Sequence, residues 1–187
     1  MVDLKKVIGD NNDVLLEAKQ NALDLSEKYG ISSARLVQST GDFAQAGFSV
    51  QEVMGLVKNS LDLVIAGDVD AAQASEILIA SLKGFHAPAS EASHIIDVLN
   101  QVANQTAVNV SELAKGFAGI SPIAKTMGLS FEETTGLLVP IIETFRSGDE
   151  AAVALKTGLL RLVDDSDTVV GALEKIGVSQ TDANGSL

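Results

Sequence analysis

Cysteine is absent from this 187-residue chain, so neither a disulfide framework nor a thiolate metal site is available. Tryptophan is absent too, and aromatic residues make up only 4% of the chain against a hydrophobic fraction of 46%. The apolar content is therefore Ala, Val, Leu and Ile, which predicts a fine-grained core of closely approaching helices. Basic residues are few: 13 Lys and Arg against 25 Asp and Glu leave a formal charge of −12, with no local basic cluster. That balance argues against a surface built to neutralise phosphates, and so against nucleic-acid binding. Long hydrophobic runs are missing. The longest, 63–67 and 136–142, fall short of the roughly 18–20 residues of a membrane-spanning helix. Residues 1–9 are charged where a signal peptide would turn apolar. A soluble chain without membrane contact is expected, long enough for one sizeable core or two small ones.

What the chain has in quantity is a punctuation mark of glycine, an apolar residue and serine. It occurs at Gly30-Ile31-Ser32, Gly47-Phe48-Ser49, Gly119-Ile120-Ser121, Gly128-Leu129-Ser130 and Gly177-Val178-Ser179. Glycine takes the left-handed conformation that closes a helix, and serine accepts from the free amides that open the next. Ser49 with Glu52 and Ser130 with Glu133 extend into capping boxes, and Ser121 precedes Pro122, which suits a first helical position. Five such corners predict an all-α fold, a compact or stacked array of about 9 to 10 short helices.

Periodicity places the elements. Val14, Leu15, Ala18, Ala22 and Leu25 make 11–29 an amphipathic helix, and a shorter helix follows over 33–46. Residues 49–66 carry one stripe from Val50 to Ile65, with Leu56 and Leu63 on a second face, so this helix should touch neighbours on two sides. Asp68 is the expected cap of a helix to residue 83, ended by Gly84 and the turn around His86 and Pro88. A helix over 89–105 presents Ala92, Ile95, Ile96, Leu99 and Val102. Asn109 with Glu112 reads as a third capping box for a helix to residue 118, after which 122–127 holds one or two turns. The helix over 130–145 contains Pro140, which should kink or shorten it. Gly148 punctuates, and helices over 151–163 and 168–176 complete the series.

The stretch Gly47-Phe48-Ser49-Val50-Gln51-Glu52 with Gly55 matches Gly128-Leu129-Ser130-Phe131-Glu132-Glu133 with Gly136 at an offset of 81 residues, and Gly-Asp follows each helix. The match points to an internal duplication, although convergent capping chemistry imitates part of it. The domain reading is leading helices over 1–46, a helical core over 47–176 built of modules 47–127 and 128–176, and a tail over 177–187 with a turn signal at Asn184-Gly185.

No constellation calls for chemistry. His86 and His94 are the only histidines, and no carboxylate arrangement around them has metal-site spacing, so solvent-facing or packing roles are expected. Asp164-Asp165-Ser166-Asp167 lacks the glycine and terminal glutamate of a calcium loop and reads as a capping loop. Glu52 and Glu133 are explained as capping carboxylates rather than an acid/base pair. There is no Gly-x-Ser-x-Gly elbow, Ser-x-x-Lys pair or strand-borne glycine-rich phosphate loop. Catalytic, cofactor-binding and metal residues are all expected to be absent, and the chain is not expected to be an enzyme.

With its segments in order, the stretch from Phe43 to about Leu187 resembles the conserved core region of phage tail tape measure proteins. The resemblance rests on residues 44–52, on Gly67-Asp68-Val69-Asp70-Ala71-Ala72-Gln73-Ala74 with Leu82-Lys83-Gly84-Phe85, and on Asn109-Val110-Ser111-Glu112-Leu113-Ala114. It continues through Gly128-Leu129-Ser130-Phe131-Glu132-Glu133-Thr134, residues 151–162 and Gly177 to Gly185. Pro88 and Pro140 depart from the family's pattern. The resemblance implies a structural piece of a longer chain that sets tail length and leaves through the tube at infection, with no shared active site and no cofactor. It implies partners in the tail tube protein, tail tip or baseplate proteins and tail assembly chaperones, with self-association also allowed. The implied location is the virion tail lumen, and the host cytoplasm during assembly. A generic helical-repeat protein–protein interaction module is the alternative.

Overall fold

The computed structural model describes residues 12–66, 69–162 and 167–175, together with Gly177. Among them are nine α-helices and no strand: α1 (Asn12–Tyr29), α2 (Ser33–Gln45), α3 (Val50–Ala66), α4 (Ala71–Gly84), α5 (Ala92–Gln105), α6 (Val110–Thr126), α7 (Phe131–Phe145), α8 (Gly148–Leu162) and α9 (Asp167–Lys175). A single 3-10 turn, Ala89–Glu91, leads into α5. The all-α expectation holds.

Four of the five glycine corners take the left-handed backbone: Gly30, Gly47, Gly128 and Gly177 have φ of 68°, 84°, 76° and 75°. At two of them the turn is doubly bonded. Phe48 N–H donates to Phe43 O and Gly47 N–H to Ala44 O, and the same pair recurs as Leu129 to Ala124 and Gly128 to Lys125. These are the crossed bonds of a Schellman turn, which satisfies two helix-end carbonyls at once. The capping boxes at Ser49/Glu52 and Ser130/Glu133 both form: each serine N–H donates to the glutamate, at 2.7 and 2.9 Å, and each glutamate N–H donates to the serine hydroxyl, at 3.4 and 3.1 Å. Ser32 occupies its N-cap position without a side-chain cap bond. Ser179 and the acidic loop residues 164–166 lie outside the described residues, while Asp167 opens α9.

The fifth corner is not one. Gly119-Ile120-Ser121 lies inside α6, which runs unbroken from Val110 to Thr126 where two shorter helices were expected. A Cβ on Gly119 would stand 2.7 Å from Ala152 Cβ, so this glycine marks a helix crossing, not a helix stop. Ser121 is buried and donates to Phe117 O at 2.6 Å. Pro122 and Pro140 both face solvent inside continuous helices, each with a threonine four residues on, Thr126 or Thr144, donating to its carbonyl. The expected shortening of α7 at Pro140 does not occur.

Three further assignments move. Asp70, not Asp68, caps α4, in a full capping box with Gln73; Asp68 lies outside the described residues. Gly84 is the last helical residue, and a Cβ there would meet Ser121 Cβ at 2.4 Å. The left-handed position belongs to His86, at φ 53°, which completes a third Schellman turn through Ala87 N–H to Leu82 O and His86 N–H to Lys83 O. Likewise Arg146, at φ 58°, ends α7, and Gly148 begins α8 instead of stopping its predecessor.

One continuous apolar cluster runs from Ala22 and Leu25 through Leu36, Phe43, Leu61, Leu78, Leu99, Leu113 and Ile120 to Leu155 and Leu159. Leu56 and Leu63 are both buried, as two-sided contact for α3 requires. Each such side chain contributes about 1.5–3 kcal/mol on burial. Helix α6 lies at the centre, packed most heavily on α8 and α4 and also touching α7 and α5. Three phenylalanines meet beside it: Phe117 and Phe131 stack at 4.4 Å between centroids, and Phe85 meets both edge-on. Aromatics are few, and three of them are spent on one junction of α4, α6 and α7.

Candidate functional site

Several titratable side chains hold helix ends. Glu52 and Glu133 sit in their capping boxes, and the Ser49 bonds hold the Glu52 carboxyl below its ordinary range. Lys83 Nζ lies 4.0 Å over the Phe48 ring, a cation–π contact that ties the end of α4 to the start of α3. Asn109 accepts from Glu112 N–H at 2.8 Å, but Glu112 does not reach back, so the third capping box forms by half. Instead its carboxylate accepts from Lys115 Nζ at 2.6 Å and from Gly148 N–H at 2.8 Å. These two bonds, the lysine's first, hold the Glu112 carboxyl below its ordinary range. A side chain of α6 thereby supplies the negative cap at the start of α8.

The two histidines go different ways. His86 is exposed at its left-handed turn. His94, exposed on α5, meets Glu132 of α7, with Nε2 and Oε1 2.5 Å apart. The partner was hidden from the sequence because the two residues are 38 positions apart. Among the described residues no group of three or more His, Asp or Glu is placed to hold a metal ion. Nor is any described helix long and apolar enough to cross a membrane.

Two further features mark the surface. An open cleft of about 690 Å³ lies between the α1–α2 turn and the start of α4, lined by Ile31, Arg35, Val64, Val69, Asp70 and neighbouring residues. Its one arginine and one aspartate do not converge on a reacting centre, since Asp70 is already bonded to Gln73 N–H. The exposed large apolar side chains concentrate on the α7–α8 hairpin: Leu137, Phe145, Val153, Leu160 and Leu162, with Leu16 and Leu23 on α1 and Ile65 on α3.

These features define a helical scaffold, built around close backbone crossings, with exposed apolar side chains on α7 and α8. The chain belongs to the phage-related minor tail protein family, whose model matches residues 19–187. The match begins upstream of the stretch from Phe43 that carries the sequence resemblance. The chain is 31% identical over its full length to the tape measure protein of Pneumococcus phage Dp-1, of which it covers 16%. It is 23% identical over 186 residues, 98% of the chain, to the probable tape measure protein of Escherichia phage P2, of which it covers 23%. A probable tape measure protein of Clostridium phage phiCD119 is 26% identical over 71% of the chain, which covers 14% of that protein. The chain thus spans between a seventh and a quarter of these relatives' lengths. No solved structure matches it.

Proposed function

We propose that this chain is the folded docking portion of a tape measure protein, a non-catalytic segment of a longer tail component that sets tail length and is ejected through the tube. The observation that carries this reading is the ordered match along the whole chain to proteins named for that role. A second supports the word folded. The described helices turn back on one another around one core, so their lengths do not add end to end as a ruler's would. The partners are the tube protein, the tip or baseplate proteins and the assembly chaperones, met through the exposed apolar residues of α7 and α8. The place of action is the tail lumen, reached from the host cytoplasm during assembly.

Deleting residues 47–176 in frame from the full-length gene and measuring tails by electron microscopy tests this. A docking body predicts tails of unchanged length or failed assembly. An extended helical ruler predicts shortening by about 1.5 Å per residue removed, roughly 200 Å in all, and that result would replace the docking reading.

A further inference from the structure

Helix α7 is tied to the segment carrying α5 at both ends, and each tie is a glutamate. Near its start, Glu132 meets His94, close to the beginning of α5. Near its finish, Glu143 Oε1 accepts from the N–H of Ala107, two residues past the end of α5, at 3.3 Å. The two contacts bridge 38 and 36 positions of sequence, and both lie at the surface. Between them α5 buries Ala92, Ile95, Ile96 and Leu99. Its heavier packing is on α3, with only light contact to α7. Helix α7 packs instead on α8 and α6. Little besides the two glutamates therefore joins α5 directly to α7.

We propose that Glu132 and Glu143 form a two-ended clasp between the segment 89–107 and α7, one end of which is set by the charge of a histidine while the other rests on a backbone amide. Only the Glu132 end has a titrating partner on both sides. The hydrogen bond that the His94 ring donates to Glu132, and then the negative charges of Glu132, Glu91 and Asp97, hold the His94 imidazolium above its ordinary pKa. The bond from His94 in turn holds the Glu132 carboxyl below its own. A raised histidine stabilises the closed form fully below its unfolded pKa and loses that contribution as pH rises through the folded one. A lowered carboxylate contributes above its unfolded pKa and loses that as pH falls through the folded one. The Glu132 end is thus an ion pair only between these limits. Mild alkali weakens it to a bond from a neutral imidazole to the carboxylate, whereas the Glu143 end rests on a backbone N–H; acid protonates Glu132 and frees that end.

The test is an NMR pH titration of the whole chain, following the histidine rings and the backbone amides together. In the wild type the His94 ring should titrate above an ordinary imidazole, and amides of residues 89–96 and 131–134 should shift with the same midpoint. Glu132→Gln should return His94 toward the ordinary value and remove that shared midpoint while leaving the Ala107 N–H resonance where the wild type has it. Glu143→Gln should move the Ala107 N–H resonance and leave the His94 titration unchanged. An ordinary His94 titration in the wild type overturns the proposal. So does a raised one to which no amide of α7 responds, because the contact would then be a local ion pair that ties nothing.

Discussion

The crossing of α6 and α8 sets up the sharpest prediction, the replacement Gly148→Ala. An ideal Cβ at residue 148 would stand 1.8 Å from Glu112 O and 2.8 Å from both Glu112 C and Gly116 N. All three are backbone atoms, so no side-chain rotation relieves the overlap; α8 must move away from α6. Moving it stretches the Gly148 N–H bond to the Glu112 carboxylate and loosens Ala151 and Ala152, both buried in the same interface. Overpacking of this kind costs about 1–3 kcal/mol, and weakening a hydrogen bond to a charged group about 1.5–3 kcal/mol. Alanine's better helix propensity returns up to about 1 kcal/mol. A net loss of about 1.5–6 kcal/mol follows, which for a domain of this size lowers Tm by roughly 3–24 °C. The control is Gly136→Ala, in the interior of α7, where a Cβ meets nothing within 4 Å and the same propensity difference should raise stability by about 0.5–1 kcal/mol. Urea unfolding followed by circular dichroism reads both. A Gly148→Ala protein as stable as its parent would refute the reasoning, because α6 and α8 could then not be in backbone contact.

Two other substitutions follow from the same geometry. His86→Gly relieves a side chain held at φ 53° in a Schellman turn and should stabilise by about 0.5–1 kcal/mol in urea unfolding, whereas Gly128→Ala at φ 76° should destabilise by about 1–2 kcal/mol. Glu112→Gln weakens the charged cap on α8 and should cost about 1–2 kcal/mol near neutral pH. Because the Glu112 carboxyl is lowered in the fold, the difference between variant and parent should shrink as pH falls through that lowered value, which unfolding curves at a series of pH values will show.

The helices were legible in the sequence wherever their ends are decided locally. Gly30, Gly47 and Gly128 stop helices because the left-handed backbone needs nothing from a distant residue, and Ser49/Glu52 and Ser130/Glu133 close their boxes within four positions. The same letters failed at Gly119-Ile120-Ser121 because the reason for that glycine is Ala152, a residue of another helix. Gly84 and Gly148 misled in the same way: their small size serves Ser121 and the Glu112 backbone, not a turn. Conversely, His86 and Arg146 take the left-handed position without being glycine, so composition could not announce them. Glu112 shows the limit most clearly. Three residues after Asn109 it has the spacing of a capping box, yet its carboxylate turns to a donor 36 positions away. The His94–Glu132 contact and the apolar exposure of α7 and α8 likewise exist only once the helices are folded together.

The backbone-on-backbone crossing of α6 and α8 has a mechanical consequence. Interfaces padded by leucine or methionine yield gradually, since flexible side chains follow a receding partner. Here Gly148 rests on the Glu112 carbonyl, and glycine at 119 lets Ala152 in, so at these two points no flexible side chain separates the helices. Short-range contact of this sort is lost within a fraction of an ångström of separation. The pair should therefore behave as a brittle joint, stiff up to a threshold load and then parting in one step, with the Glu112 bond to Gly148 breaking at the same moment.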